Sequence, residues 1–181
     1  DRGEDVSRIA SVASFFVSRI DGKIDGAIDK GVGGDEAKAL KGKVAIANAK
    51  LAYAWYQELI ASDRWQKLAA KGAMPQRLLW ASTGTKNPDY PDTLYVDTLI
   101  GADTVNTMPP ATMDAFRDHG IVADTLAADV DEARHVIAEQ ARLGLDLDGV
   151  TKTLVEEGVA SFSKSFDDLL AVIAAKQTAA A

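Results

Sequence analysis

Three short apolar segments, separated by helix-forming sequence, constrain the fold of this chain more than any other feature. They cover residues 9–17, 77–83 and 104–108. The first is short, rich in aromatic and β-branched residues and apolar on both faces, which is typical of a buried parallel strand. The second predicts another short buried strand, and the third predicts a strand that Pro109 and Pro110 end.

The sequence between and after these segments carries helical patterns. Apolar residues recur at spacings of three and four through residues 35–61, which predicts one long amphipathic helix with Asp35 as its N-cap. Asp129 and Glu132 resemble a capping box that opens a helix to about residue 143. Residues 19–34, rich in charges and glycines, predict a loop that could contain a helical turn. Further helices are predicted over residues 64–71, 92–100, 110–119 and 148–157, and from residue 161 onward. The predicted buried face of the long helix consists of Leu40, Val44, Ala47, Leu51, Trp55 and Leu59.

Strands that alternate with helices predict a parallel sheet joined by helical crossovers. Three parallel strands leave two open edges and cannot close a barrel. A parallel sheet also needs cover on both faces. The 181 residues suffice for one domain. We therefore expect residues 1–181 to form a single segment that is a portion of a larger α/β fold.

The charge balance excludes several classes of partner. Lys and Arg number 20 against 27 Asp and Glu, which gives a net charge of −7. Such a chain is poorly suited to nucleic acid or to an anionic membrane surface, although a few local cations could still bind a small anion. No apolar run approaches the length of about eighteen residues that spans a membrane. The N-terminus lacks a signal-peptide pattern and an initiator Met, so we expect a cytoplasmic location and a cut or processed chain.

The scarcity of cysteine and histidine narrows the chemistry further. There are no cysteines, which excludes disulfides, thiolate metal sites and a cysteine nucleophile. The two histidines, His119 and His135, fall in predicted helices and fit surface or helix-end positions. A Ser–His–Asp triad is therefore not expected.

Function in α/β folds sits just past the carboxyl ends of the strands, and three places qualify. At the first strand, a hydroxyl at Ser14 and a guanidinium at Arg19 suit phosphate recognition; the alternative is a core serine and a surface arginine paired with Asp21. After the second strand, the polar loop 82–87 carries Lys86 and could cradle a phosphate, or could be an ordinary turn. At the end of the third, Asn106 and Thr107, just before Met108, face either a site or other core layers.

Taken together, residues 11–19 (SVASFFVSR), 79–88 (LWASTGTKNP) and 104–109 (TVNTMP) resemble transaldolase. The resemblance extends from residue 6 to about residue 176, and is closest to the bacterial branch that also occurs fused to glucose-6-phosphate isomerase. It implies the C-terminal part of a (β/α)8 TIM barrel, with parallel strands six to eight, their helices and a helical C-terminal tail. Transaldolases transfer a dihydroxyacetone unit from sedoheptulose 7-phosphate to glyceraldehyde 3-phosphate in the pentose phosphate pathway. They use a Schiff base on a barrel lysine and no metal or cofactor.

The resemblance also implies roles for individual residues. Ser14 and Arg19 match the family's S-x-F-V-x-R motif, whose serine and arginine contact the substrate phosphate. Ser82 matches an Ala-Ser that precedes a second phosphate-binding arginine, and here Lys86 takes the cationic role as a point charge rather than a fork. The family's Schiff-base lysine lies in a segment like K-I-P-A-T, and no such segment occurs in this chain. The resemblance therefore implies that this chain contains no catalytic residue, and the isolated chain is expected to be inactive.

Two other hypotheses remain beside this one. The chain could be a non-catalytic sugar-phosphate-binding or scaffold half-barrel that self-associates through its open sheet edges. It could instead be a helical interaction module without a small ligand. In the transaldolase hypothesis the partner is the missing N-terminal half of the barrel. Its ligands are sugar phosphates, and no nucleic acid or membrane is expected to bind.

Overall fold

In the computed structural model, which describes residues 2–180, three strands form one parallel sheet in the order β1, β2, β3. Ser14 of the first strand lies opposite Leu79 of the second, and Trp80 lies opposite Asn106 of the third. The three predicted strands and their parallel arrangement are confirmed. The strand bounds are β1 Val12–Phe16, β2 Arg77–Ala81 and β3 Thr104–Asn106.

Helices fill the sequence between and after the strands, as the alternating pattern predicts. The predicted helices over residues 64–71, 110–119 and 129–143 are confirmed to within about two residues at each end. The helix bounds are α1 Ser18–Asp29, α2 Gly34–Ala37, α3 Val44–Ala61, α4 Asp63–Ala69, α5 Leu94–Asp97, α6 Pro110–His119, α7 Val130–Arg142 and α8 Leu147–Ala180. Among the described helices none is long and apolar enough to cross a membrane.

The chain divides into two units, one that ends at Leu145 and one that begins at Asp146. The first contains the sheet and α1 to α7, and the second contains α8. Residues 1 and 181, the ends of the single segment expected from the sequence, lie outside the described residues.

The prediction of a loop over residues 19–34 is wrong, because α1 occupies most of this segment. Ile20, Ile24 and Ile28 recur every four residues and are almost completely buried, so they anchor the helix to the core. Charged residues at every second position and two glycines, which disfavour helix, conceal this period in the sequence.

The prediction of a single helix over residues 35–61 is also wrong in part. It is divided into α2, a 3-10 turn at Lys38–Leu40 and α3, and the break comes at Gly42, whose φ of 71° cannot continue a helix. Asp35 is not an N-cap; it lies in α2 and accepts a 2.7 Å bond from Lys38 Nζ. The predicted buried face is confirmed at Leu40, Val44 and Ala47, which are buried. It is wrong at Trp55, which is 64% exposed, and at Leu59, which is 44% exposed.

Two predicted helix boundaries fail for local reasons. Asp129 precedes α7 but makes no side-chain cap bond, because its φ of 57° is left-handed rather than extended as a capping residue requires. The helices predicted over residues 148–157 and from residue 161 are one continuous α8, which runs through Gly158.

The sheet is buried unequally. Trp80 in β2 is completely buried and meets the ring of Phe15 edge-on at 5.6 Å between centroids. Val12 in β1 is 41% exposed and Ser14 is also exposed, so the first strand is not buried on both faces as predicted. β1 is also an edge strand of the described sheet.

Candidate functional site

The carboxyl ends of the three strands meet at one edge of the sheet, and polar residues follow each of them. Backbone bonds extend the pairing beyond the strands, from Val17 N to Ala81 O at 2.9 Å and from Ser18 N to Ser82 O at 3.1 Å. Thr107 N donates to Trp80 O at 2.9 Å on the other side of β2. This geometry brings together side chains that lie far apart in the sequence.

Two serines join the first and second strands at this edge. The Oγ atoms of Ser18 and Ser82 lie 2.9 Å apart, and either can be the donor. Ser82 has a φ of 56°, a left-handed conformation that only glycine adopts without strain. The turn directly after β2 is therefore held in an unusual shape, with its hydroxyl against the start of α1.

Thr83 joins the second and third strands. Its side chain is completely buried, and its hydroxyl is 2.9 Å from Asn106 Oδ1 and 3.0 Å from the Thr107 carbonyl oxygen. Because Asn106 accepts through its oxygen, its amide NH2 keeps two donors. We call Ser18, Ser82, Thr83, Asn106 and Thr107 the strand-end cluster.

Arg19 follows Ser18 in the first turn of α1. Its guanidinium carbon lies over the Phe16 ring, 4.6 Å from the ring centroid, which is a cation–π contact. The N–H groups of the guanidinium can still donate to an acceptor such as a phosphate. The alternative in which Arg19 pairs with Asp21 is not supported, since both Asp21 oxygens accept other donors.

The other two predicted site residues are more exposed. Ser14 lies within β1, two residues before its end, and its side chain is exposed. Lys86 is exposed in the loop after β2, next to Thr85, whose hydroxyl donates to the Pro91 carbonyl oxygen at 2.9 Å. The structure thus brings Ser82 against Ser18, the neighbour of Arg19, while Ser14 lies earlier in the chain, within β1.

Beside the strand-end cluster, two carboxylates of α1 are buried, and the sequence analysis missed both. Asp21 accepts from Ala45 N and from Tyr95 Oη, each at 2.8 Å. Burial raises the pKa of Asp21 from 3.8 to about 6, and the nearby charge of Asp25 raises it further against the effect of these hydrogen bonds.

Asp25 lies one helical turn later and is bound in the same way. It accepts from Gly42 N at 3.2 Å and from Tyr90 Oη at 2.6 Å. Burial and the adjacent carboxylates raise the pKa of both Tyr90 and Tyr95, so both hydroxyls remain protonated donors. The spacing of four between Asp21 and Asp25 is the sequence signal that a helical interpretation of this segment would have used.

No group of three or more His, Cys, Asp or Glu residues within residues 2–180 is arranged to hold a metal ion. Hydroxyls, one amide and two cations are the functional groups near the strand ends. Such groups can bind an oxyanion and orient it.

Comparison with known proteins identifies a family for this arrangement. The family model described as transaldolase/fructose-6-phosphate aldolase matches residues 4–173. A protein named transaldolase from Frankia alni is 55% identical over 175 residues, which is 96% of this chain and 47% of that protein. A transaldolase of Mycolicibacterium smegmatis is 52% identical over 94% of this chain and 46% of its own length.

A third relative has the same proportions. The transaldolase of Trichodesmium erythraeum is 50% identical over 93% of this chain and 47% of its own length. The chain thus spans about half the length of the curated relatives it matches.

Proposed function

The chain belongs to the transaldolase/fructose-6-phosphate aldolase family, and from this premise we propose that it is part of a transaldolase and carries the phosphate-binding half of the active site. The complete protein would move a dihydroxyacetone unit from sedoheptulose 7-phosphate to glyceraldehyde 3-phosphate, in the cytoplasm and in the pentose phosphate pathway. The sheet described above would be strands six to eight of a (β/α)8 barrel.

The observation that supports phosphate binding most strongly is the contact between Ser18 and Ser82 beside Arg19. Two hydroxyls and a guanidinium lie at the start of a 12-residue helix, where the helix dipole favours an anion. The cation–π contact with Phe16 restricts the Arg19 side chain, so less rotamer freedom is lost when it binds a phosphate bidentately. Ser14 and Lys86 complete the proposed set of ligands.

Schiff-base chemistry needs an amine that is unprotonated when it attacks the ketone, which requires a pocket that lowers its pKa. Lys86 is exposed, which does not suit that role, and we assign it only a cationic one. The nucleophilic lysine would belong to a preceding half of the protein.

Uncovered apolar surface supports the presence of such a half. Trp55 and Leu59 lie one turn apart on α3 and are exposed, as is Val12 on the edge strand β1. Tryptophan and leucine stabilise a protein when they are removed from water, so this surface is suited to packing against another element. The relatives, about twice as long, have enough chain to provide that element.

Borohydride trapping tests the proposal that this chain binds phosphate while the preceding half supplies the Schiff-base lysine. We expect the 181-residue chain alone to form no adduct with a ketose phosphate and to show no transaldolase activity. Addition of the preceding half should restore both. Activity of the pure chain would contradict the half-site proposal. The non-catalytic half-barrel would be favoured if the chain formed a dimer that binds phosphate and if the complete protein also formed no borohydride-trapped adduct.

Substitution of Arg19 tests the phosphate role within the complete protein. Arg19→Ala should raise the KM for glyceraldehyde 3-phosphate at least about tenfold, because a bidentate charge-assisted contact contributes about 1.5–3 kcal/mol. Arg19→Lys is the matched control and should recover only part of the affinity, since it restores the charge without the fork. An unchanged KM in Arg19→Ala would refute this role.

A further inference from the structure

Asp21, Asp25, Tyr90 and Tyr95 form a second cluster, which we call the double clamp. We propose that the double clamp fixes the loop that carries Lys86, residues 82–90, which we call the Lys86 loop, along the first two turns of α1. These four residues would then act as positioning residues for phosphate binding. This inference rests on the proposed function, since it assigns the clamp to the same site.

The clamp joins three segments of the chain with matched pairs of bonds. Each carboxylate uses one oxygen for a backbone N–H near the start of α3 and the other for a tyrosine hydroxyl. The backbone donors are Gly42, just before α3, and Ala45, in its first turn, so the start of α3 is tied to α1 as well. Hydrogen bonds depend on direction as well as distance, so paired bonds restrict sliding more than apolar contacts do.

Gly42 is required for this geometry. Its φ is 71°, and a Cβ atom at this position would lie 2.9 Å from Tyr90 Cζ and 3.2 Å from the Tyr90 hydroxyl oxygen. Tyr90 therefore reaches Asp25 across a backbone position that has no space for a side chain. A close approach of this kind is one of the specific uses of glycine.

The clamp matters to the site because the Lys86 loop is held to α1 at both ends. Ser82, at the start of the loop, contacts Ser18 in the first turn of α1. Tyr90, at the end of the loop, donates to Asp25, seven residues further along the helix, a distance of about 10 Å at 1.5 Å per residue. The loop that carries Lys86 is thus tied to the helix that carries Arg19, and the relative position of the two cations depends on these bonds.

The cost of the arrangement supports a role beyond packing. Two carboxylates one turn apart are buried, and each must be desolvated beside the other. Apolar residues of similar size could fill the same space without that cost. Four donors compensate for the burial, and each of them belongs to a segment that the clamp holds in place.

Kinetics of the complete enzyme test the proposal through Tyr90→Phe, which removes one hydroxyl and keeps the ring. We expect the KM for glyceraldehyde 3-phosphate to rise about fivefold or more, the equivalent of one hydrogen bond, with kcat nearly unchanged. The KM for unphosphorylated glyceraldehyde should stay the same, because that acceptor has no group for the two cations. Tyr53→Phe is the matched control, since its hydroxyl donates at 3.1 Å to the Ala102 carbonyl oxygen outside the clamp.

Amide hydrogen exchange of residues 83–89 gives a second measurement that does not depend on turnover. Faster exchange of this loop in Tyr90→Phe than in Tyr53→Phe supports the clamp. If the wild-type enzyme turns over normally but the two variants behave alike in KM and in exchange, the clamp proposal is overturned and the proposed function stands. If the wild-type enzyme has no activity, the proposed function fails, and exchange alone decides for or against the clamp.

Discussion

The strand-end cluster and the double clamp bind the same stretch of chain to α1, but they do so with different chemistry. The strand-end cluster uses neutral hydroxyls and an amide that keep hydrogen-bonding capacity for another partner. The double clamp uses buried carboxylates whose oxygens all accept donors from within the chain. The comparison separates groups available for a ligand from groups committed to holding the ligand's surroundings.

Removal of a carboxylate from the double clamp should lower the free energy of unfolding more than any substitution in the strand-end cluster. Asp25→Ala leaves Gly42 N and Tyr90 Oη without their acceptor, and we expect a loss of about 4 kcal/mol, because each stranded donor costs about 2 kcal/mol. Urea unfolding followed by circular dichroism measures this difference as a shift of the midpoint.

Asp25→Asn is the control for this prediction, since an amide keeps one acceptor oxygen and loses the charge. Its cost should be about half that of the alanine variant, because one donor keeps its partner. Equal stability of Asp25→Ala and the wild type would show that the carboxylate contributes nothing net, and the comparison between the two clusters would lose its basis.

The clamp should also give the protein a distinctive pH dependence. Burial raises the pKa of Asp21 from 3.8 to about 6, so between these values the folded protein holds a proton that the unfolded chain has released. The stabilising contribution of this proton is complete below about pH 4 and is lost as the pH rises through 6. A shift from 3.8 to about 6 corresponds to about 3 kcal/mol over this interval.

Asp21→Asn isolates this contribution, because the amide does not titrate while Asp25, Tyr90 and Tyr95 remain around it. The difference in unfolding free energy between the wild type and Asp21→Asn should change by about 3 kcal/mol between pH 4 and pH 7, in favour of the variant at the higher pH. Parallel stability curves across this range would mean that Asp21 does not titrate as its burial implies.

The strand-end cluster is easier to predict from the sequence than the double clamp, for physical reasons. Local apolar runs indicate the strands, and polar residues that follow them, such as Ser82 and Thr107, are expected at a common edge of the sheet. The bonds of the clamp join residues that lie 17 to 74 positions apart. No local pattern reveals such bonds, and glycines within α1 further conceal the helix that carries both carboxylates.

The long helix shows a second limit of local patterns. The spacing of Leu51, Trp55 and Leu59 identifies an apolar stripe correctly, yet the buried side of α3 carries Ala49, Tyr53 and other residues instead. An apolar period shows that a helix has a face to cover, but which face its own chain covers depends on the neighbours.

The smallest expected effect tests the strand-end cluster at Ser82. Its φ of 56° strains any residue except glycine by about 1 kcal/mol, and its bond to Ser18 contributes about as much. Ser82→Ala loses the bond and keeps the strain, so it should cost about 1 kcal/mol, whereas Ser82→Gly loses both and should be nearly neutral. Glu58, exposed within α3, is the control position, where glycine should instead be about 1 kcal/mol worse than alanine. If alanine is the better replacement at Ser82 as well, the turn relaxes freely, and the strand-end cluster does not hold it in place.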